Sequence, residues 1–202
     1  MLDKSIVKSV IDGFSLPDFK NATIREIVSI ANKVEALTGE KYVRMEMGVP
    51  GLPPDAIGTE AEIAALQSGV ASKYPMLDGH PDLKKEASRF IKAFIDVDVA
   101  PEGCVPVSGS MQGTYASFLV SGQCDPQKDT VLFIDPGFPV QKTQLLVLGL
   151  KYESFDMFEF RGQKLIDKVE SYLKKGNICN IIYSNPNNPS WVCLTEEELK
   201  GI

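Results

Sequence analysis

The sequence predicts an α/β fold, a three-layer α/β/α arrangement around a mainly parallel sheet, preceded by a helical N-terminal segment. Three observations carry this. From residue 104 onward, short apolar runs alternate with stretches of helical periodicity, the β-α-β rhythm of a parallel sheet covered by helices. Before that point two helical patterns dominate. The composition, 202 residues with 44% apolar and 24% charged side chains, is that of a globular chain able to bury a core.

The elements follow in order. Residues 21–37 place Ile24, Ile27, Val28, Ala31 and Val34 at helical spacing and stop at Gly39, a good C-terminal cap. Residues 42–47 alternate, with Val43, Met45 and Met47 on one face and Tyr42, Arg44 and Glu46 on the other, which predicts a half-buried strand. Three prolines and two glycines then forbid regular structure over 48–54. A second helix is expected from Thr59, with Glu62 at capping-box spacing, to near Gly69. After a loop over 72–79, Pro81 suits a first helical position, and Leu83, Ala87, Phe90, Ile91 and Phe94 line one face of the helix it opens. Strands are predicted over 104–107, 130–134, 152–155 and 178–183, and helices over 111–120, 140–148 and 164–175. Finally, Thr195 and Glu198 form a capping box at the start of a last helix.

Charge and composition narrow the function classes. With 21 basic and 27 acidic residues the formal charge is -6, and no basic block stands out, so a nucleic-acid or anionic-membrane partner is not expected. The four cysteines form no C-x-x-C pair and His80 is the only histidine, which removes the usual ligands of a metal site and the base of His-driven nucleophilic catalysis. Residues 1–13 lack the apolar core of a signal peptide, and the longest apolar run, 145–150, is too short to span a bilayer. A cytoplasmic location is the default expectation.

Ligands of parallel sheets sit at the carboxyl ends of the strands, and three strand-end segments are unusual. In Val107-Ser-Gly-Ser-Met-Gln-Gly113, small residues let the backbone approach an anion and the free N–H groups of the new helix point at it. A plain β-α turn with a serine cap fits the same residues. In Asp135-Pro-Gly-Phe-Pro-Val140, prolines and a glycine hold Phe138 where its ring can stack on a flat ligand or fold back into the core. In Tyr183-Ser-Asn-Pro-Asn-Asn-Pro-Ser190, two prolines stiffen a turn that presents the amide of Asn188, able to donate to a ligand oxygen without adding charge. Neither G-x-G-x-x-G nor the P-loop pattern occurs, so a dinucleotide or a nucleoside triphosphate is not indicated.

Together these segments resemble the fold-type I pyridoxal-phosphate enzymes, specifically the class I/II aminotransferase family. The resemblance implies that Gly109, Ser110 and Met111 contact the cofactor phosphate, that Phe138 stacks on the pyridine ring, and that Asn188 hydrogen-bonds the phenolic oxygen. Ser190 and Trp191 stand where Thr and Gly are commonest in the family's asparagine-proline motif. Upstream, Lys73-Tyr-Pro-Met-Leu-Asp-Gly-His-Pro-Asp-Leu83 resembles the segment whose tyrosine, here Tyr74, reaches the phosphate of the other subunit of a dimer. Met47-Gly-Val-Pro50 resembles the segment lining the substrate pocket, with Gly48 as a substrate-side backbone contact beside Asn188. His80 falls at a variable position of its motif and reads as loop structure.

The resemblance further implies an N-terminal arm and part of a small domain over residues 1–47 and an incomplete cofactor-binding large domain over 48–202. The family's Schiff-base lysine, the acidic partner of the pyridine nitrogen and the arginine that grips the substrate carboxylate are expected beyond Ile202, so no catalytic residue is assigned within the chain. The expected function is amino-group transfer between an amino acid and a 2-oxo acid, in a homodimer, with pyridoxal phosphate as cofactor. A helix terminus contributes up to about 2 kcal/mol, stacking about 1 and a neutral hydrogen bond about 1. The chain alone is therefore expected to bind the cofactor at about millimolar concentration and to be inactive. Another reaction on the same cofactor, such as a lyase or decarboxylase, and a non-catalytic or regulatory relative are the alternatives; a flavodoxin-like nucleotide binder is opposed by the absent glycine fingerprints. Which amino acid is the substrate is not legible.

Overall fold

A computed structural model describes residues 3–16, 18–49 and 51–202. The chain forms two compact units, Met1–Lys73 and Tyr74–Ile202.

The first unit contains α1 (Lys4–Asp12), α2 (Ile24–Thr38) and α3 (Ala56–Gln67). Asp3 caps α1 through its carboxylate, which accepts the Ser5 N–H. Thr23 and Glu26 close a full capping box on α2, and Gly39 ends it in the left-handed region at φ 72°. Val10, Ile30 and Val34 form the core, with Ile11 and Tyr42 packed against it. The strand expected over 42–47 is not formed. The segment lies beside α2 and is held by side chains: Glu35 accepts the Tyr42 N–H at 2.9 Å, and Arg44 Nη1 donates to Asn32 Oδ1 at 2.7 Å. A strand needs a neighbour to share its N–H and C=O groups, and among the described residues none runs alongside. The faces are also reversed, because Tyr42 turns inward while Val43 and Met45 are exposed. The helix expected from Thr59 starts earlier: Asp55 caps α3, and Thr59 lies inside it with its hydroxyl turned back on the Asp55 carbonyl. Pro50, part of the Met47-Gly-Val-Pro50 motif, lies outside the described residues.

The second unit begins with α4 (Pro81–Ile95), which has proline in its first turn and His80 as its N-cap, Nδ1 accepting the Asp82 N–H at 3.3 Å. Leu83, Phe90 and Phe94 of its apolar face are exposed. The strand expected over 104–107 is likewise absent. Pro106 has no N–H to give a ladder, and its ring instead fills the space beside Gly79. The rest follows the expected alternation: α5 (Ser110–Cys124), β1 (Thr130–Asp135), α6 (Val140–Leu148), β2 (Lys151–Asp156), α7 (Gln163–Leu173), β3 (Ile178–Ile182) and α8 (Glu196–Gly201).

The sheet is parallel throughout, in the order β2-β1-β3. β1 is central and buried on both faces, so its alternate residues serve two cores. Leu132 and Ile134 join Phe155, Leu165, Val169 and Leu194 on one face, under α7. Val131 and Phe133 join Phe118 and Leu145 on the other, under α5 and α6. These are the three layers that the β-α-β rhythm predicts, and they bring the ends of β1 and β3 to one edge.

Candidate functional site

The segments after β1 and β3 meet at that edge, beside α5. A cavity of about 330 Å³ opens there, lined by Ile134 of β1 with Gly137 and Phe138 after it, Ile182 of β3 with Tyr183, Ser184 and Asn188 after it, and Thr114 from the second turn of α5. Parallel strands with right-handed helical crossovers deliver their carboxyl ends, and the loops that leave them, to the same side of the sheet.

Gly109 opens α5 at φ 81° and ψ 159°, a conformation that favours glycine, and no atom lies within 4 Å of where a Cβ would stand. Its N–H turns back on the Val107 carbonyl at 2.9 Å, and the Ser108 N–H is taken by Gln112 Oε1. No side chain caps the helix. The N–H groups of Ser110 and Met111, which have no partner inside a helix, are therefore left facing outward at its positive end.

Phe138 is about half exposed at the cavity wall, so its ring is presented rather than folded into the core. Lys142, four residues on, pairs with Asp135 Oδ2 at 2.5 Å and lies over the Phe133 and Tyr152 rings, which ties α6 to the end of β1.

The asparagine turn divides its labour between neighbours. Asn187 is 3% exposed and is consumed by the fold: Nδ2 donates to the Pro136 carbonyl at 2.7 Å, and Oδ1 accepts the Ser190 hydroxyl at 2.6 Å. Asn185 Oδ1 accepts the Leu194 N–H at 3.0 Å. Asn188 is exposed on the cavity and its side-chain amide has no partner among the described residues, while its backbone N–H donates to Ser184 Oγ at 3.1 Å. The peptide bonds preceding Pro136, Pro186 and Pro189 are cis.

Phe138 and Asn188 thus line one cavity, and the Gly109, Ser110 and Met111 turn leads into the helix whose Thr114 also lines it. Tyr74 is fully exposed and does not line the cavity; Gly48 belongs to the first unit, with no atom within 4 Å of a Cβ added there. Sequence reasoning did not single out Thr114, Gln144 or Asn187. Gln144 stands three residues after Gln141, on the same face of α6 just after Phe138, and this spacing is the signal that points to it.

A cavity lined by an accessible ring and an unpaired carboxamide, one helical turn from a pair of uncapped amides, fits a flat aromatic ligand that carries a phosphate. Comparison with known proteins agrees. The sequence model of the family described as "Aminotransferase class I and II" matches residues 42–202. An aspartate aminotransferase of Thermotoga maritima is 24% identical over 182 residues, covering 89% of this chain and 47% of that protein. An LL-diaminopimelate aminotransferase of Halothermothrix orenii is 28% identical over 189 residues, covering 91% and 46%. Among solved structures, an aminotransferase from Mycobacterium tuberculosis superposes with a TM-score of 0.74 at 20% identity, over 94% of this chain and 46% of that one. Aspartate aminotransferase from Thermus thermophilus gives 0.72 at 18% identity, over 89% and 46%. These structures share the fold, and the chain spans about half the length of the curated relatives it matches.

Proposed function

This chain belongs to the aminotransferase class I and II family, and on that footing we propose that it supplies the phosphate-binding and ring-stacking side of the site of an amino-acid aminotransferase. The observation that carries the proposal is that Phe138, Asn188 and Thr114 of α5 line one cavity at the carboxyl edge of the sheet, with the uncapped start of α5 one turn before Thr114. Members of this family work with pyridoxal phosphate. When bound, that cofactor supplies an electron sink that stabilises negative charge at the substrate Cα.

In this reading the Ser110 and Met111 N–H groups bind the phosphate, and the open backbone at Gly109 lets it approach. Phe138 holds the plane of the ring, and Asn188 donates a hydrogen bond to the phenolic oxygen without adding a charge. Asn187 keeps Asn188 in place by fastening the turn to the Pro136 carbonyl. Gly48 gives a backbone contact to the substrate, and Tyr74 reaches the phosphate held by a second copy in a homodimer. The substrates are an amino acid and a 2-oxo acid, and the compartment is the cytoplasm. Residues 1–47 serve as arm and part of the small domain, and 48–202 as part of the large domain.

Saturation-transfer NMR with pyridoxal phosphate tests the assignment. The ring protons should receive magnetisation from the protein, and the signal should fall in Phe138→Ala and Asn188→Ala. Equal signals in all three proteins would remove Phe138 and Asn188 from the site.

A further inference from the structure

Gln144 ties the phosphate turn to the helix that carries the stacking ring. It projects from α6 and is partly buried, and both ends of its amide are engaged with the start of α5. Nε2 donates to the Met111 carbonyl at 2.8 Å, and Oε1 accepts from the Thr114 hydroxyl at 2.9 Å. The Thr114 hydroxyl also lies 3.1 Å from the Met111 carbonyl. Its single proton faces two acceptors, of which the glutamine oxygen is the nearer. The amide can satisfy both partners in only one orientation, since the carbonyl of Met111 needs a donor.

Within its own segment the first turn of α5 is held by the Ser108 N–H bond to Gln112 Oε1 and the Gln112 N–H bond to the Gly109 carbonyl at 3.1 Å. Its N-cap is a glycine in a left-handed conformation, and no side chain caps it. Met111 is nevertheless one of the two residues whose N–H groups face outward to an anion, so the direction of that N–H depends on what holds the peptide planes of this turn. Gln144 holds the far side of the same residue. On α6, the Gln141 N–H returns to the Phe138 carbonyl at 3.3 Å, which fixes the ring-bearing segment to the same helix. One carboxamide therefore links the phosphate turn to the helix that carries the stacking ring, beside the packing of Phe118 and Leu145 in the core those two helices share.

We infer that Gln144, assisted by Thr114, is a positioning residue for the phosphate of the ligand, and that it governs discrimination between phosphorylated and unphosphorylated forms of the same ring. This rests on the reading of the cavity as a pyridoxal-phosphate site. The test uses the whole chain and compares pyridoxal phosphate with pyridoxal by ligand-observed NMR titration, for the wild type, Gln144→Met and Thr114→Val. Gln144→Met keeps the length of the side chain and removes both hydrogen bonds. Two partly buried hydrogen bonds correspond to about a fivefold to tenfold loss of affinity for pyridoxal phosphate. Affinity for pyridoxal should stay within about twofold. Thr114→Val, which keeps the Nε2 to Met111 bond, should lose about half as much on a logarithmic scale.

A parallel loss for both ligands would show general loosening and overturn the inference, as would unchanged affinity for both in either variant. A wild-type chain that binds the two ligands equally, or neither, defeats the reading of the site itself and the inference with it. That outcome is seen before any variant is made.

Discussion

Glu198 is the most heavily engaged carboxylate of the second unit, and replacing it should unfasten the C-terminal helix from the sheet layer. Its side chain is 1% exposed. Arg161 Nε and Nη2 each donate to it at 2.8 Å, the Gly162 N–H at 2.6 Å and the Thr195 N–H at 2.8 Å. The Arg161 guanidinium, first among these, holds the carboxyl down at about 2, from an ordinary 4.5. That difference corresponds to at most roughly 3 kcal/mol, and because Arg161 is 38% exposed, solvent screening reduces it to about 2 kcal/mol. Glu198→Gln keeps the shape, but it removes the countercharge and turns an NH2 group toward donors. The urea midpoint of the second unit, followed by circular dichroism, should fall by about 1 M with an unchanged slope.

The sign of the pH dependence follows from the lowered folded-state value. The contribution is fully present above about 4.5, the unfolded value, and is lost as the pH falls toward 2. The gap in stability between wild type and Glu198→Gln should therefore close over that window. A gap under about 0.5 kcal/mol at pH 7, or one that stays constant down to pH 2.5, would refute the reasoning.

Three further substitutions probe the loops of the second unit. Gly79→Ala places a Cβ 2.5 Å from Cδ of Pro106, a rigid ring, at a glycine with φ 101°. It should cost about 2–4 kcal/mol, read as a lower urea midpoint. Asn187→Ala leaves the Pro136 carbonyl without its side-chain donor and should cost about 1–3 kcal/mol, with the Ser190 amide resonance moving in the same sample. Trp191 is exposed and sits at φ 51°, so Trp191→Gly should raise stability by about 1 kcal/mol, less the added freedom of the unfolded chain, read as a higher urea midpoint. A lower midpoint would mean that the indole makes contacts worth more than the backbone relief.

The sequence carried the second unit and the candidate site because both are written in local chemistry. Prolines and glycines mark the loops after β1 and β3, and the small residues before α5 mark an open helix start. Non-local matters were hidden. Alternation at 42–47 reports a segment able to be a strand, but whether another strand lies beside it depends on residues far away in sequence. The same holds for 104–107. At α3, Asp55 was the better start signal than Thr59, since its carboxylate accepts the Ile57 N–H and caps the helix. Asn187 and Asn188 are adjacent and chemically identical, and the bond of Asn187 to the Pro136 carbonyl, 51 residues away, is the non-local contact that separates the buried one from the free one. Gln144 meets Thr114 across a separation of 30 residues, which no local pattern around either residue reports.

The most direct test of the central claim is the shift of backbone amide resonances in a ¹⁵N-labelled chain titrated with pyridoxal phosphate. The site proposed here predicts saturable shifts at about millimolar ligand, largest at the Ser110 and Met111 amides and at the Asn188 side-chain NH2, with pyridoxal moving the last but not the first two. Shifts that gather elsewhere in the chain, or Ser110 and Met111 amides that respond equally to the ligand without its phosphate, would contradict it.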